Sequence, residues 1–482
     1  MLKMGAYTSD GASAFFDEML GINGTPRPAY ATLVKWLASQ SRGSLRGKQQ
    51  EADDIFRRLG ITFAVYGAEQ ANERVLPFDL IPRIISAAEW RFLERGIEQR
   101  VRALNAFLSD IYHRQEIVRA GIVPSELINQ NDAFLPEMMG FDPPGNVYAH
   151  IIGIDIVRAG ENEYYVLEDN LRTPSGVSYM LENREAMMHL FPEFFVAHRV
   201  APIDRYPEML RRTLESVAPA HCDGDPRLAV LTPGVFNSAY FEHAFLADQM
   251  GVELVQCSDL IVENGKLLMR TIRGKEQLHV LYRRIDDAYL DPLNFRTDSL
   301  LGVPGLFDLY LAGRVTIVNA PGTGIADDKA IYAYVPNIVA FYTGEKPILE
   351  NVPTFRCSVA EERGYVLDNL HELVVKEVHG SGGYGMLIGP HASRRERLDF
   401  AERIRARPGN YIAQPTLALS TCPSLCPEGV APRHVDLRPF VLVGDRVRVS
   451  PGGLTRVALK RGSLVVNSSQ GGGTKDTWVL ED

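Results

Sequence analysis

The chain has 482 residues, 45% of them apolar, and a formal charge of −9 at neutral pH. That suffices for a large core divided among about two to four packed units, and the lack of a basic tail or long Lys/Arg block excludes nucleic acid as the main partner. Five cysteines make no disulfide framework in a chain this long; with no run of about 18 apolar residues and no apolar h-region near the start, a cytoplasmic protein without a membrane partner is expected.

Short amphipathic helices are expected at 12–20, 28–40 and 47–59, and "GITFAVYG" (60–67) reads as a strand between glycines. A long helix follows from Glu94 to Arg119, because Ile97, Val101, Leu104, Leu108 and Ile111 recur at three or four; Gly121 and Pro124 end it. "YAHIIGIDIVRAGENEYYVLEDN" (148–170) predicts a hairpin turning at "AGEN". From 226 the pattern becomes strand, helix ending at Gly251, and strand, the signature of a parallel α/β layer, and 315–344 repeats strand, glycine turn and helix. After 345 the chain is β-rich, with candidate strands at 373–378, 385–388, 411–419, 434–443, 446–450 and 463–467. Four segments result: 1–140, mainly helical; 141–225; 226–318, α/β; and 319–482. Without repeats or low-complexity linkers, they read as one assembly of interlocked α+β lobes.

The chemistry concentrates in a few places. "VVKEVHGSGGYGMLIG" (374–389) sets Lys376 on a strand leading into glycines 380, 382, 383 and 385. It is not a P-loop, since the Lys precedes the glycines; a glycine hairpin can still turn backbone N–H groups toward an anion. "NAPGTGIADDKA" (319–330) is a glycine turn entering a helix, with Lys329 in its first turns beside Asp327 and Asp328. In "VLEDN", Glu168 and Asn170 share one strand face, which suits Mg²⁺. Asp155, on the preceding strand among Ile151, Ile152, Ile154, Ile156 and Val157, should fall within a residue or two of Glu168; a lone carboxylate there is costly. The later acids Glu428, Asp436, Asp445 and Asp476 look scattered. "YRRIDDAYLDP" groups Arg283, Arg284, Asp286 and Asp287, either a site for a carboxylate or zwitterion or, slightly favoured, a surface ion-pair network; Asn237 and Glu242 are further substrate candidates. Strand arginines Arg438 and Arg456 could steady a transferring phosphoryl group. "NSSQGGGTKDTW", with Lys475, also fails the P-loop pattern, and Cys422 and Cys426 lack the second Cys/His pair of a zinc site. No G-x-S-x-G occurs, and no G-x-G-x-x-G opens a helix after a strand.

Together "PFDLIPRIIS", "GIDIVRAG", "YYVLEDNLRTPSGVSYMLENR", "YRRIDDAYLDPL", "IADDKAIYAYVPNI", "KEVHGSGGYGMLIGP", "YIAQPT", "HVDLRPF" and "GGLTRVALKRGSLVVNSSQGGGTKDTWVL" resemble the circularly permuted ATP-grasp type 2 family. The order matches permutation: the E-x-N at 168–170 precedes the lysines at 329 and 376, as in the related glutathionylspermidine synthetase. The resemblance implies an α+β, circularly permuted ATP-grasp fold with an α/β pre-ATP-grasp-like layer and an N-terminal helical segment. It implies that Asp155, Glu168 and Asn170 hold Mg²⁺, that Lys329 and Lys376 contact ATP, and that Gly380, Ser381, Gly382, Gly383, Tyr384 and Gly385 cover its phosphates, with Gln414 of "YIAQPT" at the adenine. The activity implied is an ATP- and Mg²⁺-dependent carboxylate–amine ligase working through an acyl phosphate on a peptide or amino-acid-like substrate. A phosphotransferase and a nucleotide-binding scaffold without catalysis are the alternatives, and transglutaminase-like or helical proteins the implied partners. One position departs: where the relative has a phosphate-holding Arg two before the metal Asp, this chain has Gly153, so Arg172, Arg438 or Arg456 must supply the charge. The relative's substrate-recognition features are not recognisable either, so its substrates do not carry over.

Overall fold

The computed structural model describes residues 15–65, 72–379, 385–427, 429–466 and 471–482. Its centre is a ten-stranded sheet whose main path runs Glu350–Asn351, Glu163–Asn170, Ile151–Gly160, Gly429–Arg438, Leu454–Val457, Gly473–Val479 and Phe78–Ile85. The hairpin 151–170 forms as expected, antiparallel with Asp155 directly opposite Glu168. Phe78–Ile85 was not evident as a strand because Pro82 interrupts it; as an edge strand it tolerates the missing N–H.

The long helix runs Ala87–Ile111, earlier than the periodicity suggests, because Ser86 and Glu89 form a capping box. Ile97, Val101, Leu104, Leu108 and Ile111 are all buried. Gly96 is required on this helix: a Cβ there would lie 2.4 Å from the Leu349 side chain. After Ile111 the chain leaves the helix, and Glu116–Arg119 is a separate short turn.

Helices Ala31–Ser39 and Arg42–Arg58 match two of the three expected N-terminal helices. The described part of 12–20 is not helical: Asp17 Oδ1 accepts from the backbone of Met19 and Leu20 at 2.8 and 2.7 Å, a local bond that competes with helix formation. Of the predicted strand at 60–67, Thr62–Val65 is a strand, and residues 66 and 67 lie outside the described residues. Of 463–467, the described residues 463–466 form no strand.

The α/β layer is a parallel sheet ordered Thr316–Val318, Val280–Arg283, Leu228–Leu231, Glu253–Val255, with helix Tyr240–Met250 crossing between the last two strands. A smaller sheet, Phe355–Arg356, Tyr411–Pro415, Leu373–Glu377 and Leu387–Ile388, has its own apolar core of Cys357, Val366, Leu370, Val375, Ile404 and Ala413 among others.

The N-terminal segment is fastened to the central sheet by a buried ion pair. Glu18 accepts from Arg83 Nη2 at 2.6 Å and Nε at 2.8 Å, and from Ser420 at 2.6 Å. Burial alone would raise the Glu18 pKa, but the charges of Arg83 and Arg158 outweigh it and hold the carboxyl at about 2 against an ordinary 4.5. This contribution is therefore complete above about pH 4.5 and is lost as the pH falls toward 2. Glu18→Gln leaves Arg83 buried without its counter-charge. It is expected to lower unfolding stability at neutral pH by about 3–5 kcal/mol in urea titrations and to flatten the stability profile in that acid window.

Candidate functional site

The site is built by strand register. Asp155 stands opposite Glu168. Ile156 stands opposite Leu437, which sets Asp155 beside Arg438, and Arg438 in turn faces Leu454. One row therefore crosses four strands: Glu168, Asp155, Arg438, Leu454. Two residues along, Asp436 faces Arg456 in a second row on the same face. All six line a cleft of about 420 Å³ between the central and smaller sheets, together with Asn170, Lys329, Lys376 and Gln414.

The electrostatics are tightly paired. Asp155 is 1% exposed; it accepts from Arg438 Nε and Nη2, the latter at 2.7 Å, and from Arg456 Nη2 at 2.7 Å. Burial pushes its pKa up, but Arg438 and Arg456 together hold it near 2. Asp436 shares Arg456, whose Nε lies 3.0 and 3.1 Å from its two oxygens, yet burial still raises its pKa. Lys329 begins the short helix Lys329–Tyr332, capped by Asp328, and reaches Glu168 at 3.3 Å. Burial lowers the Lys376 pKa to about 8, despite the nearby Glu168 charge.

The residues fit a hard divalent cation. Glu168 and Asn170 present oxygen-bearing groups on one face, although among the described residues no group of three or more His, Cys, Asp or Glu is set to hold a metal, so the rest of its shell would come from substrate phosphate and water. Asp155 already accepts three hydrogen bonds from two guanidinium groups, which compete with a metal for its oxygens. Cys422 is no zinc ligand in waiting: it is buried, its Sγ 3.2 Å from Glu18.

Several expected residues have other positions. Arg172 lies outside this lining, paired with Asp286 at 3.2 Å. Arg283, Arg284 and Glu242 are not surface groups. Arg283 is fully buried, donates to the carbonyls of Asn319, Ile285 and Ala320, and pairs with Asp287 at 2.9 Å. Arg284 holds the Pro174 carbonyl and Glu242. Glu242 accepts from the backbone N–H groups of Gly176 and Ser178, so it caps helix Val177–Leu190 from another element. Their charges serve internal bracing; of these guanidinium nitrogens, Arg284 Nε alone is buried without a hydrogen-bond partner among the described residues. Asn237 caps the backbone of Ala239 and lies outside the cleft lining. Gln414 lines the cleft, with Nε2 given to Thr354 at 3.0 Å. Gly380, Ser381, Gly382, Gly383 and Tyr384 lie outside the described residues; Gly385, just inside, has φ 69°.

Sequence reasoning missed Asp436, Thr173, Ser175 and Tyr179 as cleft residues. The i, i+2 pair in "HVDLR" was a usable signal for Asp436. The Ser175 carbonyl, which accepts from Arg438 Nη1 at 3.1 Å, left no such trace.

The model of the circularly permuted ATP-grasp type 2 family matches residues 82–458. A Synechocystis protein, "Uncharacterized protein sll0335", is 55% identical over 97% of both chains. A Frankia casuarinae protein named "Putative glutamate--cysteine ligase 2-2" is 43% identical over 96% of this chain, which spans 53% of that relative's length. Among solved structures, a glutathione synthetase-like effector from Globodera pallida aligns with a TM-score of 0.58 over 92% of this chain and 98% of its own, at 12% identity, a likeness of fold. Among the described residues no helix is long and apolar enough to cross a membrane.

Proposed function

The chain belongs to the circularly permuted ATP-grasp type 2 family, and from that premise we propose that it is an ATP- and Mg²⁺-dependent ligase joining a carboxylate to an amine. The observation that carries this is the charged row across the sheet, acids at one end and arginines next to them, with two lysines at the acid end. A ligase name on a relative that shares this unit supports the reaction class.

In the proposed reaction a substrate carboxylate oxygen attacks the γ-phosphorus and ADP leaves. The amine then attacks the acyl carbon, phosphate leaves with the bonding pair, and the amine loses a proton. Mg²⁺, held by Glu168 and Asn170 with Asp155 beside them, would neutralise charge on the β- and γ-phosphates. Lys329 and Lys376 bind and orient the phosphates. Arg438 and Arg456 stabilise charge on the group in transfer, taking the part that Gly153 cannot. Such a site positions and screens, so it needs no Ser or Cys nucleophile.

The test is ADP and phosphate release against mixed pools of carboxylates and amines, peptides included. Release only when an acid and an amine are both present supports the ligase. A stable phosphorylated product from a single substrate overturns it in favour of phosphotransfer, and ATP binding without turnover in any mixture overturns it in favour of a binding protein.

Lys376 supplies a second measurement. Burial holds its pKa down at about 8, so near that pH part of the free protein should carry it neutral. Bound polyphosphate favours the charged form, so ATP binding near pH 8 should take up a fraction of a proton, and affinity should fall as the pH rises above about 8. Calorimetry in buffers of different ionisation enthalpy reads the uptake, and Lys376→Met should remove it.

A further inference from the structure

The cleft continues past the arginines. Its nucleotide end is marked by Lys329 and Lys376 beside Glu168. Three strand steps away, about 14 Å at the usual spacing, the row ends not in a charge but at Leu454. Gly176 packs on Leu454, and the same cleft lining includes the apolar side chains of Leu464, Val465 and Val466 and the ring of Tyr179. Gly176, at φ 116°, is packed so closely that a Cβ would lie 2.8 Å from Leu454 Cδ2. Tyr179 is held by stacking on Phe241, ring centres 5.9 Å apart. Arg456 stands two residues along the same strand face from Leu454. Its Nε and Nη2 serve Asp436 and Asp155, while Nη1 donates to no partner among the described residues.

An apolar lobe with one spare guanidinium edge on the same strand face suits a carboxylate carried on an apolar body. We propose that this lobe is the acid-substrate site, and that the substrate is a carboxylate on an alkyl or aryl group rather than a small polar or polyanionic acid. The inference rests on the ligase reading for its chemistry, but the lobe itself is defined by its own residues. Held this way, the carboxylate lies between Arg456 and the phosphate end of the row, where its oxygen can attack the γ-phosphorus.

The test is calorimetric titration of the full chain with octanoate, 3-phenylpropanoate, acetate and succinate, with and without Mg²⁺ and a non-hydrolysable ATP analogue. Octanoate and 3-phenylpropanoate are expected to bind at least about 10-fold more tightly than acetate or succinate, since each buried methylene adds several-fold. Val465→Asp, a change at a half-buried coil position, should weaken octanoate by at least about 10-fold and leave the analogue within about twofold. Val465→Ile should retain octanoate. Succinate binding as tightly as octanoate, or no octanoate binding in either condition, overturns the proposal. So does Val465→Asp weakening the analogue as much as octanoate, which would make the lobe the base pocket. Failure of the wild type to bind the analogue, with octanoate still bound and sensitive to Val465→Asp, counts against the ligase reading and leaves the lobe assignment standing.

Discussion

Glu168→Ala is expected to reduce Mg²⁺-dependent ADP release by about 10²–10³-fold, the scale on which a group stabilising transition-state charge acts. Among the described residues no arginine claims Glu168: its ion pair there is with Lys329, and its side chain is 32% exposed. It is therefore the acid readiest to meet a metal. Its loss also removes the acid facing Lys329, so nucleotide affinity without metal should not fall. That split separates a metal-holding role from a general collapse of the cleft. Turnover retained with Glu168→Ala would remove Glu168 from the metal set.

Asp155→Ala is expected to act on the whole fold. Its carboxylate is the common acceptor for Arg438 and Arg456, and both guanidinium groups are largely buried, 15% and 11% exposed. Without it, among the described residues, Arg438 keeps the Ser175 carbonyl and Arg456 keeps Asp436. Removing one partner of a buried ion pair costs about 3–5 kcal/mol, so urea unfolding should show a loss of that size. Glu168→Ala, at a more exposed ion pair, should lose under about 1 kcal/mol. Equal losses in the two variants would contradict the buried network described here.

Where periodicity or strand alternation governs, the sequence was legible. The hairpin 151–170, the long helix and the strand–helix–strand unit follow from apolar spacing, and Asp155, Glu168 and Asn170 follow from alternation on two strands. Arg438 and Arg456 could be suspected only as strand arginines, because the register joining them to Asp155 links positions 283 and 301 residues apart. Burial reversed the reading of Arg283, Arg284 and Glu242. A cluster of charges in sequence looks the same whether it faces water or braces a turn; only the packing of helix 177–190 against the α/β layer decides. Phe78–Ile85 stayed hidden because proline argues against a central strand and local sequence does not say which strand lies at an edge.

That same long-range register bears on how the protein is made. The acidic half of the row leaves the ribosome 283 residues before its first arginine. Until Arg438 and Arg456 are synthesised, Asp155 is a lone carboxylate in an isoleucine-rich strand that has no stable place to be buried. The nascent hairpin must wait, partly open, for the last strands. A chain cut short before them would present sticky apolar edges and be an early target for chaperones and proteases. The floor of the cleft is thus complete only once Arg438 and Arg456 have been made.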